Sequence, residues 1–99
     1  MEIKKQADGA NLTVSLSGRL DTTTAPVFEK ELKESLNGVS DLTLDFSGLE
    51  YISSAGLRVL LSAQKLLNAA NGKMKITGAN EIVKEIFDVT GFSDILTIE

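Results

Sequence analysis

Two adjacent serines, Ser53 and Ser54, stand in the segment LEYISSAGLRVLL from Leu49 to Leu61, where an apolar strand pattern gives way to a helical one. In open α/β sheets the carboxyl end of a parallel strand is where working residues gather. Ala55 and Gly56 leave the entrance to the helix sterically open. A serine hydroxyl placed there has two uses. It can accept a hydrogen bond from a first-turn N–H and cap the helix, a role open to either serine. It can also accept a phosphoryl group, which adds roughly -1.5 to -2 charges. The free amides and the positive end of the helix dipole would hold such a group by ~0.3–1 kcal/mol at an exposed terminus. Arg58, one turn after Ser54, points back toward the amino end of the helix and either adds a charge-assisted contact or is an ordinary solvated residue. A phosphate at Ser54 would act on a partner rather than on the fold, because burying an unmatched dianion costs on the order of 2–5 kcal/mol.

Other chemistries find little support. The chain has no histidine and no cysteine, so the serines have no imidazole base, and thiolate metal sites and disulfides are absent. Asp41, Asp45 and Glu50 read as solvated strand polarity rather than an acid–base pair, and Gly78 and Gly91 match neither phosphate-loop motif. No metal site, cofactor or catalytic residue is expected, and the chain reads as a non-enzymatic binding protein. A net charge of -4 with scattered lysines and arginines disfavours nucleic acid, leaving protein partners. No apolar run approaches the ~20 residues of a membrane span, and Met1 to Ala10 lacks the pattern of a signal peptide, so a cytoplasmic protein is expected.

The elements that must position the serines follow from periodicity. With 99 residues and no linker-like stretch, one domain over 1–99 is expected. Ile3 begins an extended segment, and Leu12, Val14 and Leu16 alternate with polar residues as a strand buried on one face. Asp8 and Gly9 between them predict a hairpin. Asp21 and Thr22 open a turn-like threonine run, and Pro26 suits the first turn of a helix carrying Ala25, Phe28, Leu32 and Leu36, with Gly38 as its terminator. Leu42, Leu44 and Phe46 form a third strand. The next helix carries Leu57, Leu60, Leu61 and Leu67, widened by Val59, Ala63, Leu66 and Ala70, and Gly72 closes it. Met74 and Ile76 mark a fourth strand, Asn80 caps a helix bearing Ile82, Val83, Ile86 and Phe87, Gly91 ends it, and Ile95 to Ile98 form a short last strand. Strands alternating with helices imply a mostly parallel sheet with right-handed crossovers. Because the strands keep polar residues at every second position, the helices should cover one face only, as a short right-handed β-α superhelix.

These segments together resemble the STAS domain, the fold of bacterial anti-sigma factor antagonists. The likeness runs from Ile3 to Ile98 and rests on GRLDTTTAP (Gly18 to Pro26), LTLDFSGLEYISSAGLRVLL (Leu42 to Leu61) and NEIVKEIFDVTGF (Asn80 to Phe92). In that family an Asp-Ser-Ser-Gly or Asp-Ser-Ala-Gly loop carries the phosphorylated serine. Matched position by position, Ser54 is the acceptor, Gly56 and Leu57 follow the pattern, and Ser53 replaces the usual Asp. Asp21 matches a turn similar to a partner-facing position. The resemblance implies a mixed, mostly parallel sheet with helices mainly on one face. It also implies partner switching. The unphosphorylated chain, a monomer when free, would bind an anti-sigma factor of the serine-kinase type and free the sigma factor. The kinase would phosphorylate Ser54, and a serine phosphatase would reset the cycle. Asp21, Thr22, Ser53, Ser54, Ala55, Gly56, Leu57 and Arg58 would then form the partner surface. The alternative implied is a STAS subunit of a transport or lipid-transport assembly, or a small-molecule-binding regulatory module.

Overall fold

The computed structural model describes residues 1–99. Strands β1 (Glu2–Asp8) and β2 (Asn11–Leu20) form an antiparallel hairpin, closed by Asp8 opposite Asn11. Helix α1 (Ala25–Ser35), strand β3 (Asp41–Ile52), helix α2 (Ser54–Ala69), strand β4 (Lys73–Thr77) and helix α3 (Glu81–Thr90) follow. The sheet order is β1-β2-β3-β4, with β2, β3 and β4 parallel. Each crossover adds its strand on the same side of its predecessor, so the helices share one face of the sheet. On that face Leu12, Val14, Leu16, Leu42, Leu44, Phe46, Met74 and Ile76 join a single buried cluster with residues of all three helices. On the other face Thr13, Ser15, Thr43, Asp45 and Lys75 remain half-buried or exposed. The expected one-sided, mostly parallel architecture is therefore what the chain adopts.

Strand β3 runs six residues beyond Phe46, where period-2 alternation breaks. The pairing with β2 shifts register twice, between Ser15 and Ser17 and again between Gly18 and Arg19, with the extra residues on β3. Each shift flips the side-chain parity, so that Leu49 and then Ile52 turn into the core. Asp45 clips the first irregularity: its carboxylate accepts from Ser47 N at 3.0 Å and from the Ser15 hydroxyl at 3.4 Å. These bonds, the Ser47 N–H foremost, hold its pKa below the ordinary aspartate range.

Four local expectations change. α1 ends at Ser35 with Leu36 as its cap, so Gly38 lies beyond the terminus. The left-handed residue after α2 is Asn71 at φ +58°. Gly72 serves close approach instead, since a Cβ there would lie 2.6 Å from Ser40 O. In place of the last strand, Phe92–Asp94 form a 3₁₀ turn, and only Ile98 bridges to Ile76 along the edge of β4. Finally Leu66, Ala70 and Ile82, assigned to apolar faces by spacing, are exposed. No helix is long and apolar enough to cross a membrane.

Candidate functional site

The two shifts in β3 carry its end level with that of β2, pairing Ile52 with Leu20. One residue on, Ser53 N donates to Leu20 O at 2.9 Å. The loop leading into α1 and the loop leading into α2 are therefore side by side, and Asp21 and Thr22 neighbour Ser53 and Ser54.

Ser53 is extended (φ -97°, ψ 175°), and its hydroxyl accepts from Gly56 N at 3.4 Å. It is thus the N-cap of α2, a role the sequence left open between the two serines. Ser54 is the first helical residue. It is exposed, and its hydroxyl makes no hydrogen bond within the chain. The backbone N–H groups of Ser54 and Ala55 find no acceptor either, as expected of a first helical turn. No acidic residue occupies that turn. An uncompensated positive helix end and two unused donors therefore lie beside a free hydroxyl.

The helix start is seated by Gly56. A Cβ there would meet Ile52 Cγ1 and Leu20 Cγ at 2.8 Å each, so only glycine lets α2 rest directly on the ends of β2 and β3. Gly56 and Leu57, both expected on the partner surface, are buried. Packing required them there; they set the height and tilt of the helix end and offer no outer surface. Ala55 is half-buried. Arg58 is exposed one turn down, with no ion pair.

The neighbouring loop is a reciprocal capping box. Asp21 N donates to Thr24 Oγ1 at 2.9 Å, while Thr24 N and Thr23 N donate to Asp21 Oδ1 at 3.1 and 3.0 Å. The Thr24 hydroxyl in turn donates to Arg19 O at 2.8 Å. The Thr24 N–H above all keeps Asp21 below its ordinary pKa, with Thr23, the Thr24 hydroxyl and Arg19 adding to the effect against partial desolvation. Asp21 is thus an ionised residue that also fixes the turn, and Thr22 at its tip is exposed. Sequence reading missed Thr24, although the three-residue spacing from Asp21 is a capping-box signal. It also missed the Arg19 guanidinium, which lies 4.6 Å from the Tyr51 ring centroid beside the site. Their pairing across β2 and β3 becomes visible only once the register is known.

The STAS domain model matches residues 2–99. The anti-sigma-B factor antagonist of Bacillus subtilis is 28% identical over 88 residues, covering 89% of this chain and 81% of that protein. Among solved structures, the anti-sigma factor antagonist SpoIIAA in its unphosphorylated form superposes with a TM-score of 0.87 at 16% identity, over 99% of this chain and 88% of its own. The Bacillus cell fate determinant SpoIIAA in its phosphorylated form gives a TM-score of 0.78 at 15% identity, over 99% and 91%. At those identities the structural likeness concerns the fold. With the domain model spanning all but Met1, and the one-sided sheet carrying its serine at the head of α2, the chain belongs to the STAS domain family.

Proposed function

We propose that the chain is an anti-sigma factor antagonist whose binding is switched by phosphorylation of Ser54. The observation that carries this reading is the division of labour between the two serines. Ser53 caps α2, so Ser54 is left exposed at the helix head with an unbonded hydroxyl and free amides around it. Modification of Ser54 then costs the fold no hydrogen bond. The relatives support the class of function: the Bacillus subtilis relative is an anti-sigma-B factor antagonist, and SpoIIAA occurs in phosphorylated and unphosphorylated forms.

The unmodified face formed by Asp21, Thr22, Ser53, Ser54, Ala55 and Arg58 binds an anti-sigma factor with serine-kinase activity. This chain is the substrate and ligand, and the kinase supplies the catalysis with ATP. The phosphate is held by the Ser54 and Ala55 amides and by Arg58. On that face its negative charge, only partly offset by Arg58, must be desolvated by a bound partner, which favours the partner's release. A serine phosphatase returns the chain to its binding form. Labelling with the cognate kinase and ATP, followed by mass-spectrometric mapping, tests the assignment. One phosphate on Ser54, lost in Ser54→Ala, is the expected result; label on Ser53 would refute it.

A further inference from the structure

Helix α2 has no acidic residue among its 16, in a chain whose net charge is -4. Its two cations, Arg58 and Lys65, are exposed, and neither is in an ion pair. At ~100° per residue, Ser54, Arg58 and Lys65 fall within about 40° of one another around the helix. They form one stripe, running ~16 Å from Ser54 to Lys65 at 1.5 Å per residue.

Toward α1 the stripe borders an apolar groove. It has a volume of about 340 Å³ and is walled by Leu36, Val39, Leu66 and Ala70, with Lys33 on its rim. Leu66 is 45% exposed although its spacing matches that of the core residues. Toward the amino end of α2, past Val59 and Ser62, the two helices close to a cleft of about 10 Å³, so the groove is open at the carboxyl half of α2. On the α1 rim Lys33 faces Glu29 at 3.9 Å, so that side is near neutral. The α2 side carries positive charge alone. An apolar channel between two helices with a one-signed cationic rim is complementary to an amphipathic helix whose polar flank is acidic.

We propose that the α1–α2 groove docks an acidic amphipathic helix of a protein partner, its apolar side chains seated between Leu36 and Leu66 and its carboxylates facing Arg58 and Lys65. The inference rests on the preceding reading only in assigning that helix to the partner that Ser54 regulates. It also extends the switch. A phosphate of roughly -1.5 to -2 charges at the head of the stripe offsets Arg58, one turn away, and weakens the attraction for the acidic helix at that end.

The test uses the full ¹⁵N-labelled chain and two synthetic peptides of about 18 residues. Both carry leucines at i, i+3, i+4 and i+7; one has glutamates on its polar face and the other lysines. The glutamate peptide should shift the amide resonances of Leu36, Val39, Lys65 and Leu66 and bind at least ~10-fold tighter than the lysine peptide. Replacing Arg58→Glu and Lys65→Glu together should weaken it ~10-fold or more, and raising the salt should weaken it too. Val89→Ser, at the far end of α3, should leave binding unchanged. Equal affinity for the two peptides would overturn the proposal, as would shifts confined to another face. So would the same resonances moving with protein concentration alone, which would make the groove a self-association face. If the kinase fails to label Ser54 while the glutamate peptide binds as expected, the switch reading falls and the groove stands. If Ser54 is labelled but the glutamate peptide does not bind, only the groove falls.

Discussion

Gly56→Ala is expected to destabilise the chain by about 1–2 kcal/mol, against the usual preference of helices for alanine. The added Cβ would sit 2.8 Å from both Ile52 Cγ1 and Leu20 Cγ, and 3.1 Å from Leu20 Cδ2. Carbon–carbon contacts prefer about 3.5–4.0 Å, so the helix start or the two side chains must move by ~0.7 Å or more. Leu20 and Ile52 are 0% and 1% exposed and have no solvent to move into. Overpacking of this kind costs about 1–3 kcal/mol. The alanine preference returns at most ~0.8–1 kcal/mol, and less in a first turn. Urea unfolding should show a lower midpoint with an unchanged m-value, and the melting temperature should fall by about 4–15 °C for a chain of this size. Hydrogen exchange at the Leu57 amide, which donates to Ser53 O at 2.9 Å, should quicken more than exchange in β1. A Gly56→Ala chain as stable as the parent, or more so, would refute the argument that close approach sets this residue.

The two serines should separate in stability. Ser53→Ala costs about 0.5–1 kcal/mol, the low end for a cap because its bond is long at 3.4 Å, whereas Ser54→Ala stays within ~0.5 kcal/mol of the parent; the reverse order in urea titrations would reassign the cap. Thr24→Val should cost about 1 kcal/mol by leaving Asp21 N without its acceptor, again read from the urea midpoint. Asp45 and Asp21 titrate below their unfolded value of about 3.9. The stability they contribute is therefore complete above that value and is lost as pH falls through the lower folded pKa. The urea midpoint should drop between about pH 5 and pH 2, and Asp45→Asn should flatten part of that drop; an identical pH profile would place the dependence elsewhere.

Much of the architecture was legible because it rests on period and punctuation. The alternation in β2, β3 and β4 announced a sheet covered on one side. Asn80 does cap α3, accepting from Val83 N at 2.8 Å, and Gly91 does close it at φ +81°. Which residues between Ser47 and Ile52 face the core was not readable from alternation, since two register shifts destroy the period on which strand recognition depends. The last strand failed for a different reason. Ile95 to Ile98 has strand-like residues, but the turn of Phe92–Asp94 delivers Leu96 to the core and leaves a single bridge. Spacing alone also cannot tell a core-facing leucine from one beside a groove, which is why Leu66 and Ile82 read as buried. At the site, Ser53 and Ser54 are chemically equivalent as caps. Only the extended backbone at Ser53, imposed by its bond to Leu20 O, distinguishes them.

The central claim is that the charge on Ser54 controls binding, and titration calorimetry against the cognate anti-sigma factor measures it most directly. The unmodified chain and Ser54→Ala should bind with similar affinity. The chain phosphorylated at Ser54 should bind at least ~30-fold more weakly, the equivalent of about 2 kcal/mol, with Ser54→Asp in between because one charge imitates the phosphate incompletely. Circular dichroism should show all four forms equally folded. Equal affinities of the phosphorylated and unmodified chains, with the phosphate confirmed on Ser54, would contradict the account.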